Sequence, residues 1–134
     1  MKKLILALAF TLPLFAAPPT LFDRYESVRQ ALLSNSLADV QKSAKALSTA
    51  ATAAKNDAVA KQAGAVAASG DLTKARTSFA ALSDEMIKMR SSTKGARPAV
   101  YACSMLKKSW LQPKGQVGNP YDPSMAMCGE LKAE

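Results

Sequence analysis

The chain contains no histidine. That one absence removes the commonest general base, the Ser-His-Asp and Cys-His nucleophile arrangements, and every imidazole metal site. Cysteine is limited to two residues, which rules out a four-ligand zinc site built from Cys and His. Proline is missing from Thr20 through Arg97, and glycine within 20–92 is limited to Gly64 and Gly70, so little there interrupts regular structure. Carboxylates are few and scattered, and no pair sits in an apolar setting that would split the two into an acid and a base. Tyr101, Ser104 and Lys107 can be assembled into a site only on paper, since no spacing logic supports one. No enzyme is expected.

What is present begins with an export signal. Lys2 and Lys3 form a basic start, Leu4 to Leu14 an apolar run broken by Thr11 and Pro13, and Ala16-Ala17 a small-residue cleavage site. The run is shorter than the ~20 residues a membrane-spanning helix requires, and Pro18-Pro19 stops any helix that would extend it. Cleavage is expected after Ala16, so that residues 1–16 are removed, and no cysteine lies nearby to carry a lipid anchor. The expected location is periplasmic, with no stable membrane span once the signal is cleaved.

The mature chain, about 118 residues, suits one small domain. Without Lys2 and Lys3 its formal charge falls from +8 to +6. The cations are spread along the chain at Arg24, Lys42, Lys61, Arg76, Lys88, Arg97 and Lys107, with no aromatic residues interleaved. This reads as a solvated basic surface and not as a nucleic-acid interface.

Residues 20–92 carry apolar side chains at helical spacing. Thr20 caps a first helix with Phe22, Tyr25, Val28 and Leu32 on its buried face. Asn35-Ser36 breaks it and caps a second, on which Leu37, Val40, Ala44, Leu47, Ala51 and Ala54 form the stripe. A third segment starts near Asn56-Asp57 and buries Val59, Ala63 and Val66. Gly70 ends it, and Asp71 caps a last helix bearing Leu72, Ala75, Phe79, Leu82, Met86 and Met89. Met86 and Met89 continue an apolar stripe, so they read as core packing and not as metal ligands. Short breaks favour antiparallel neighbours. The expectation is an all-α fold: an up-and-down bundle of four helices, or of three with the middle one kinked.

Residues 97–134 differ in composition. Pro98 ends helical structure, Pro-Ala-Val-Tyr-Ala-Cys reads as a short extended segment, and Lys114-Gly115, Gly118-Asn119-Pro120 and Asp122-Pro123 mark turns. Such an irregular tail has no core of its own and is expected to dock on the bundle as part of the same domain, through Val100, Tyr101, Trp110, Leu111 and Tyr121. It also holds both cysteines and three of the five methionines of the mature chain, as two clusters: Cys103-Ser104-Met105, and Met125-Ala126-Met127-Cys128. Two readings stand side by side. An even cysteine count in an exported chain favours a Cys103–Cys128 disulfide. Thiolates with thioethers suit Cu(I) or another soft ion, with Cys103, Met105, Met125, Met127 and Cys128 as ligands.

In this tail the order Tyr101, Cys103-Ser104-Met105, Trp110-Leu111-Gln112, Asn119-Pro120-Tyr121, Met125 and Cys128-Gly129-Glu130 resembles a known family. It is a small periplasmic domain of unknown function, found alone or fused to periplasmic adaptor subunits of heavy-metal efflux pumps. Tyr25, Val28, Ala31-Leu32 and Asp71-Leu72 through Met86 match more loosely. Ser104 replaces the family's usual proline, Ala102 a frequent histidine, and Asp122-Pro123 an aromatic-glycine pair. The resemblance implies a metal-related role for Cys103, Met105, Met125 and Cys128, and an efflux-system component as partner. The reading is therefore a periplasmic soft-metal binding or handling protein. The alternative is a non-enzymatic interaction module clamped by the disulfide, with Tyr101, Trp110, Asn119 and Tyr121 docking the tail.

Overall fold

The computed structural model describes residues 16–134, and the expected signal peptide, Ala16 apart, lies outside them. The order of elements is α1 (Leu21–Leu33), α2 (Leu37–Ala53), α3 (Asp57–Ala67), α4 (Leu72–Ser92), β1 (Ala99–Cys103), β2 (Lys108–Gln112), a 3₁₀ turn at Pro123–Met125, and β3 (Glu130–Ala133). Among the described residues no helix is long and apolar enough to cross a membrane.

Each helix begins on a side chain suited to satisfy free backbone N–H groups. Thr20 and Asp23 form a reciprocal capping box, and Ser36, Asn56 and Asp71 accept from Asp39, Val59 and Lys74 N–H respectively. The breaks after α1 and α2 use one design. Asn35 and Lys55 take left-handed backbone with φ of 53° and 58°. In each, paired bonds close the helix end: Ser36 to Ala31 and Asn35 to Leu32, then Asn56 to Ala51 and Lys55 to Thr52. The residue that closes one helix thus stands beside the cap of the next, and the chain reverses in few residues. The segment after Asn56 is a separate helix and not a kinked continuation of α2. Ala54, expected on the α2 seam, is the exposed C-cap, because the reversal begins there.

The four helices pack in sequence, α1 on α2, α2 on α3, and α3 on α4, over a core that includes Val28, Leu32, Val40, Leu47, Val59, Phe79, Leu82 and Met86. Alanines at 44, 51, 63 and 75 are fully buried, where their small side chains permit close approach. Met86 is buried, and Met89 packs against the same core. Contact between α1 and α4 is slight, whereas α4 packs extensively on β2. The bundle is therefore left open on one side, and the tail fills the opening.

The tail is not irregular. It forms a three-stranded antiparallel sheet of order β2-β1-β3, so the fold is mostly helical without being all-α. β1 falls on the segment expected to be extended, while β2 and β3 escaped the sequence reading because each has only four or five residues, with Ser or Lys among the large ones. Strand character comes from being opposed by a neighbour. Tyr101 faces Trp110 across β1 and β2, and Tyr101 faces Leu131 across β1 and β3. Lys132 is the extra residue of a bulge in β3, and with Glu130 it puts charge on the free edge, which discourages pairing with another chain.

Five aromatic rings join the two parts. Tyr25 stacks on Phe79 at 4.9 Å, Phe79 meets Tyr121 at 5.9 Å, Tyr121 meets Trp110 edge-on at 6.1 Å, and Trp110 stacks with Tyr101 at 6.2 Å. Rings from α1, α4, both long strands and the loop after them thus form one continuous array, each contact adding to area burial.

The left-handed Lys55 generates a prediction. An L side chain there costs about 1–2 kcal/mol, partly offset by glycine's greater freedom when unfolded. Lys55→Gly is expected to stabilise the protein by about 0.5–1 kcal/mol in urea unfolding, and an unchanged or lower midpoint would refute this account of the α2–α3 break.

Candidate functional site

Cys103 is the last residue of β1, and Cys128 stands between the 3₁₀ turn and β3. The two are joined as a disulfide, with Cα atoms 5.3 Å apart. This sets the sulfur-bearing segments side by side at one end of the sheet. Between β1 and β2 the turn Ser104–Lys107 closes through Lys107 at φ 54°. Met105, on that turn, is 71% exposed, and Met127, beside Cys128, is 65% exposed. Met125, at the end of the 3₁₀ turn, is half-buried, while Cys103 is 1% exposed and Cys128 half-buried. Two thioethers therefore face solvent beside a disulfide whose first sulfur lies in the core.

The segment carrying Cys128 is held by more than the sulfur bond. Asn119, buried, donates from Nδ2 to the Cys128 carbonyl at 3.1 Å and from its backbone N–H to the Ala126 carbonyl at 2.9 Å. Its Oδ1 accepts from the Tyr121 N–H at 2.9 Å. Cys128 N–H closes the 3₁₀ turn on the Met125 carbonyl at 2.8 Å. Gly129 then lies so close to Trp110 that a Cβ would sit 2.7 Å from the indole, so only glycine fits. Asp122 caps the 3₁₀ turn, and its hydrogen bonds from Ser124 hold its carboxyl below the usual carboxylate range.

Beneath this end lies a buried hydroxyl network. Ser83 Oγ on α4 is 2.7 Å from Tyr25 Oη on α1 and 2.9 Å from Tyr121 Oη. Tyr25 Oη in turn accepts from the Leu111 N–H at 3.2 Å, and Tyr121 Oη also lies 2.5 Å from the Ser109 carbonyl, as donor. These two hydroxyls satisfy outward backbone groups of β2 that have no strand partner. Burial pushes both phenols above their ordinary pKa, and the Ser83 hydrogen bond only partly offsets this.

A second hub is Gln112, whose Oε1 accepts from Trp110 Nε1 at 2.9 Å and from the Gly118 N–H at 3.1 Å, and whose Nε2 donates to the Gln116 carbonyl at 2.9 Å. Arginines from the helices hold the tail's backbone. Arg29 donates to the Gly118 carbonyl at 2.6 Å, Arg76 to Pro120 at 3.2 Å, and Arg90 to Pro98 at 2.6 Å. Glu26 holds Arg29 in place through a two-point ion pair at 2.7 Å. The sequence reading gave no role to Ser83, Gln112, Arg29 or Arg90. One signal was available for Arg29, a cation four residues after Tyr25 on the helix's apolar face.

Tyr101, Trp110, Asn119 and Tyr121, expected to dock the tail, are all buried. Of the expected metal ligands, Cys103 and Cys128 are bonded to each other, and Met105, Met125 and Met127 lie on the segments flanking that bond. Among the described residues no three His, Cys, Asp or Glu side chains gather into a metal-holding group. These five side chains offer sulfur donors: thioethers while the bond is closed, two thiolates as well once it is open. That set fits a soft ion such as Cu(I) and does not fit zinc or a hard cation. A groove of about 630 Å³ lies at the other end of the sheet, between Phe22, Pro98, Leu111 and Pro113. Its charged rim is already engaged, Arg97 with carbonyls of the α4 end and Lys114 with Glu134 across the rim itself. Comparison with family models, with curated proteins and with solved structures returns no match.

This geometry generates three predictions. Because the folded phenols of Tyr25 and Tyr121 ionise above the unfolded ones, stability is full below pH ~10 and falls as pH rises beyond it. Ser83→Ala removes the group the two phenols share, leaving the Tyr25 proton without an acceptor, and is expected to cost about 1–3 kcal/mol at neutral pH. Urea midpoints from pH 7 to 11 check both, and a flat profile to pH 11 would refute the first. The Cys103→Ser, Cys128→Ser double variant is expected to lose about 3 kcal/mol but to stay folded, because Asn119 and Gly129 keep the segment in place. Loss of the native near-ultraviolet signal of Trp110 would contradict this.

Proposed function

We propose that this chain is a periplasmic protein that binds or handles a soft metal ion, of the Cu(I) type, at the sulfur-bearing end of its sheet, as a non-enzymatic component of heavy-metal efflux or homeostasis. The observation that carries the reading is the convergence of both cysteines and three methionines on one end of the fold, with Met105 and Met127 exposed. Exposed thioethers there have no packing role, and a core that needed only apolar mass would turn them inward. The tail's resemblance to the small periplasmic domain fused to efflux adaptor subunits supports the same reading. A disulfide is consistent with an oxidising compartment outside the cytoplasm.

When bound, such an ion would be held by Cys103 and Cys128 as thiolates, with Met105, Met125 or Met127 completing the set. The chain's own contribution is to keep the two cysteine positions adjacent, which Asn119 and the close fit of Gly129 on Trp110 do. The basic side chains Lys107 and Lys108 beside the site disfavour hard cations by repulsion.

A second reading is favoured by the closed disulfide itself. In that case the bond is a permanent clamp, and Met105, Met127 and Leu131, the exposed large apolar residues, form part of a surface for a protein partner.

Anaerobic titration of the mature, reduced protein with Cu(I) against a competing chelator separates the two. One tight equivalent is expected, lost in the Cys103→Ser, Cys128→Ser variant and weakened roughly tenfold, about 1.4 kcal/mol, by Met105→Leu with Met127→Leu. Binding no tighter than that of free thiols would overturn the soft-ion reading and leave the interaction module.

A further inference from the structure

We infer that the Cys103–Cys128 bond is a reversible redox gate on the sulfur site, opened at Cys128 by a dithiol reductant while the protein remains folded. The inference rests on the soft-ion reading above and adds its regulation.

The two sulfurs differ in access. Cys103 is 1% exposed and packed in the core, whereas Cys128 is half-buried at the surface of the 125–128 turn. An incoming thiolate therefore meets Cys128 first. Attack there forms a mixed disulfide between the reductant and Cys128 and releases Cys103 as a thiolate, which takes up a proton. The reductant's second thiol, as thiolate, then attacks its own sulfur in that mixed disulfide. Cys128 leaves as a thiolate, and the reductant departs as a cyclic disulfide. One protein disulfide has been reduced by two electrons and one dithiol oxidised by two.

The positions of the two cysteines do not depend on the bond between them. Cys103 is held in β1, the central strand, by its pairing with β2. Cys128 is held by its carbonyl on Asn119 and its N–H on Met125, with Glu130 paired to Ala102 just beyond. Gly129 is seated against Trp110 and Val117 on one side of that segment. With the bond open, two thiols therefore remain near the present Cα separation of 5.3 Å, a bidentate soft site that needs no refolding. Closed, the same end offers only thioethers. Affinity for a soft ion is then set by the redox state, and an ion held by both thiolates keeps the gate from closing.

The test uses the native oxidised protein without denaturant. Limiting reduced glutathione, whose single thiol stops at the mixed disulfide, is added, followed by acid quench, iodoacetamide and peptide mass analysis. The expected product carries glutathione on Cys128 and the alkyl group on Cys103, in at least tenfold excess over the reverse isomer. Dithiothreitol is expected to open the bond fully with the near-ultraviolet signal of Trp110 unchanged, and to raise Cu(I) affinity at least tenfold. Glutathione on Cys103, or reduction only in denaturant, would overturn the gate alone. Protein reduced in denaturant and refolded would still test the soft-ion reading by titration. A gate that opens as described with no gain in Cu(I) affinity would overturn the soft-ion reading and the gate's role with it.

Discussion

Ser83 Oγ, fully buried on α4, lies between the hydroxyls of Tyr25 and Tyr121. Those phenols reach on to the backbone of β2, one taking the Leu111 N–H and the other giving its proton to the Ser109 carbonyl. A sheet edge pressed into an apolar core would ordinarily leave those groups unpaired, at a cost of about 1–3 kcal/mol each. Here the hydroxyls of Tyr25 and Tyr121 satisfy them, and Ser83 from α4 bridges the two. The bundle can then stay open between α1 and α4 and accept a sheet as its fourth wall. The aromatic array follows from the same arrangement, because the rings of Tyr25 and Tyr121 flank Phe79 only where their hydroxyls meet Ser83.

With β2 fixed against the helices, the rest of the tail has little freedom. β1 lies beside β2 in a register that sets Tyr101 against Trp110, and Trp110 leaves room for nothing larger than Gly129. Asn119 ties the loop before Cys128 to the same surface, and Arg29, Arg76 and Arg90 donate to tail carbonyls from the helices. The disulfide is thus one restraint among several. On the proposed reading that redundancy would let the sulfur end serve as a site, because a segment that kept its place only by a disulfide would lose the site whenever the bond opened.

Much of the helical part was legible in the sequence, for local reasons. Thr20, Ser36 and Asp71 are caps in the sequence and caps in the structure, since a cap needs only its own first turn, and Asn56 caps the helix expected to start near it. The apolar stripes at Val28, Val40, Leu47, Val59, Phe79 and Leu82 found the core because helical spacing is enough to define a face. The strands were legible only in part. Ala99–Cys103 falls on the stretch read as extended, but Lys108–Gln112 and Glu130–Ala133 are too short for period-two alternation to stand out, and the pairing of all three is with other segments. Of the sulfur, the sequence left pairing and ligation both open, and the spacing of Cys103 and Cys128 did not decide between them.

By itself, then, the amino-acid order determined where the helices start and stop, which face of each is buried, and that the sulfur lies in two clusters at the carboxyl-terminal end. These are properties of neighbours within a few residues, where capping and periodicity act. Only the tertiary structure decided that the tail is a sheet, that it fills the gap between α1 and α4, and that Cys103 and Cys128 are bonded with Met105 and Met127 exposed beside them. Each of those depends on groups brought together from distant parts of the chain. A backbone N–H at Leu111 can be buried only if a hydroxyl 86 residues away is there to accept it.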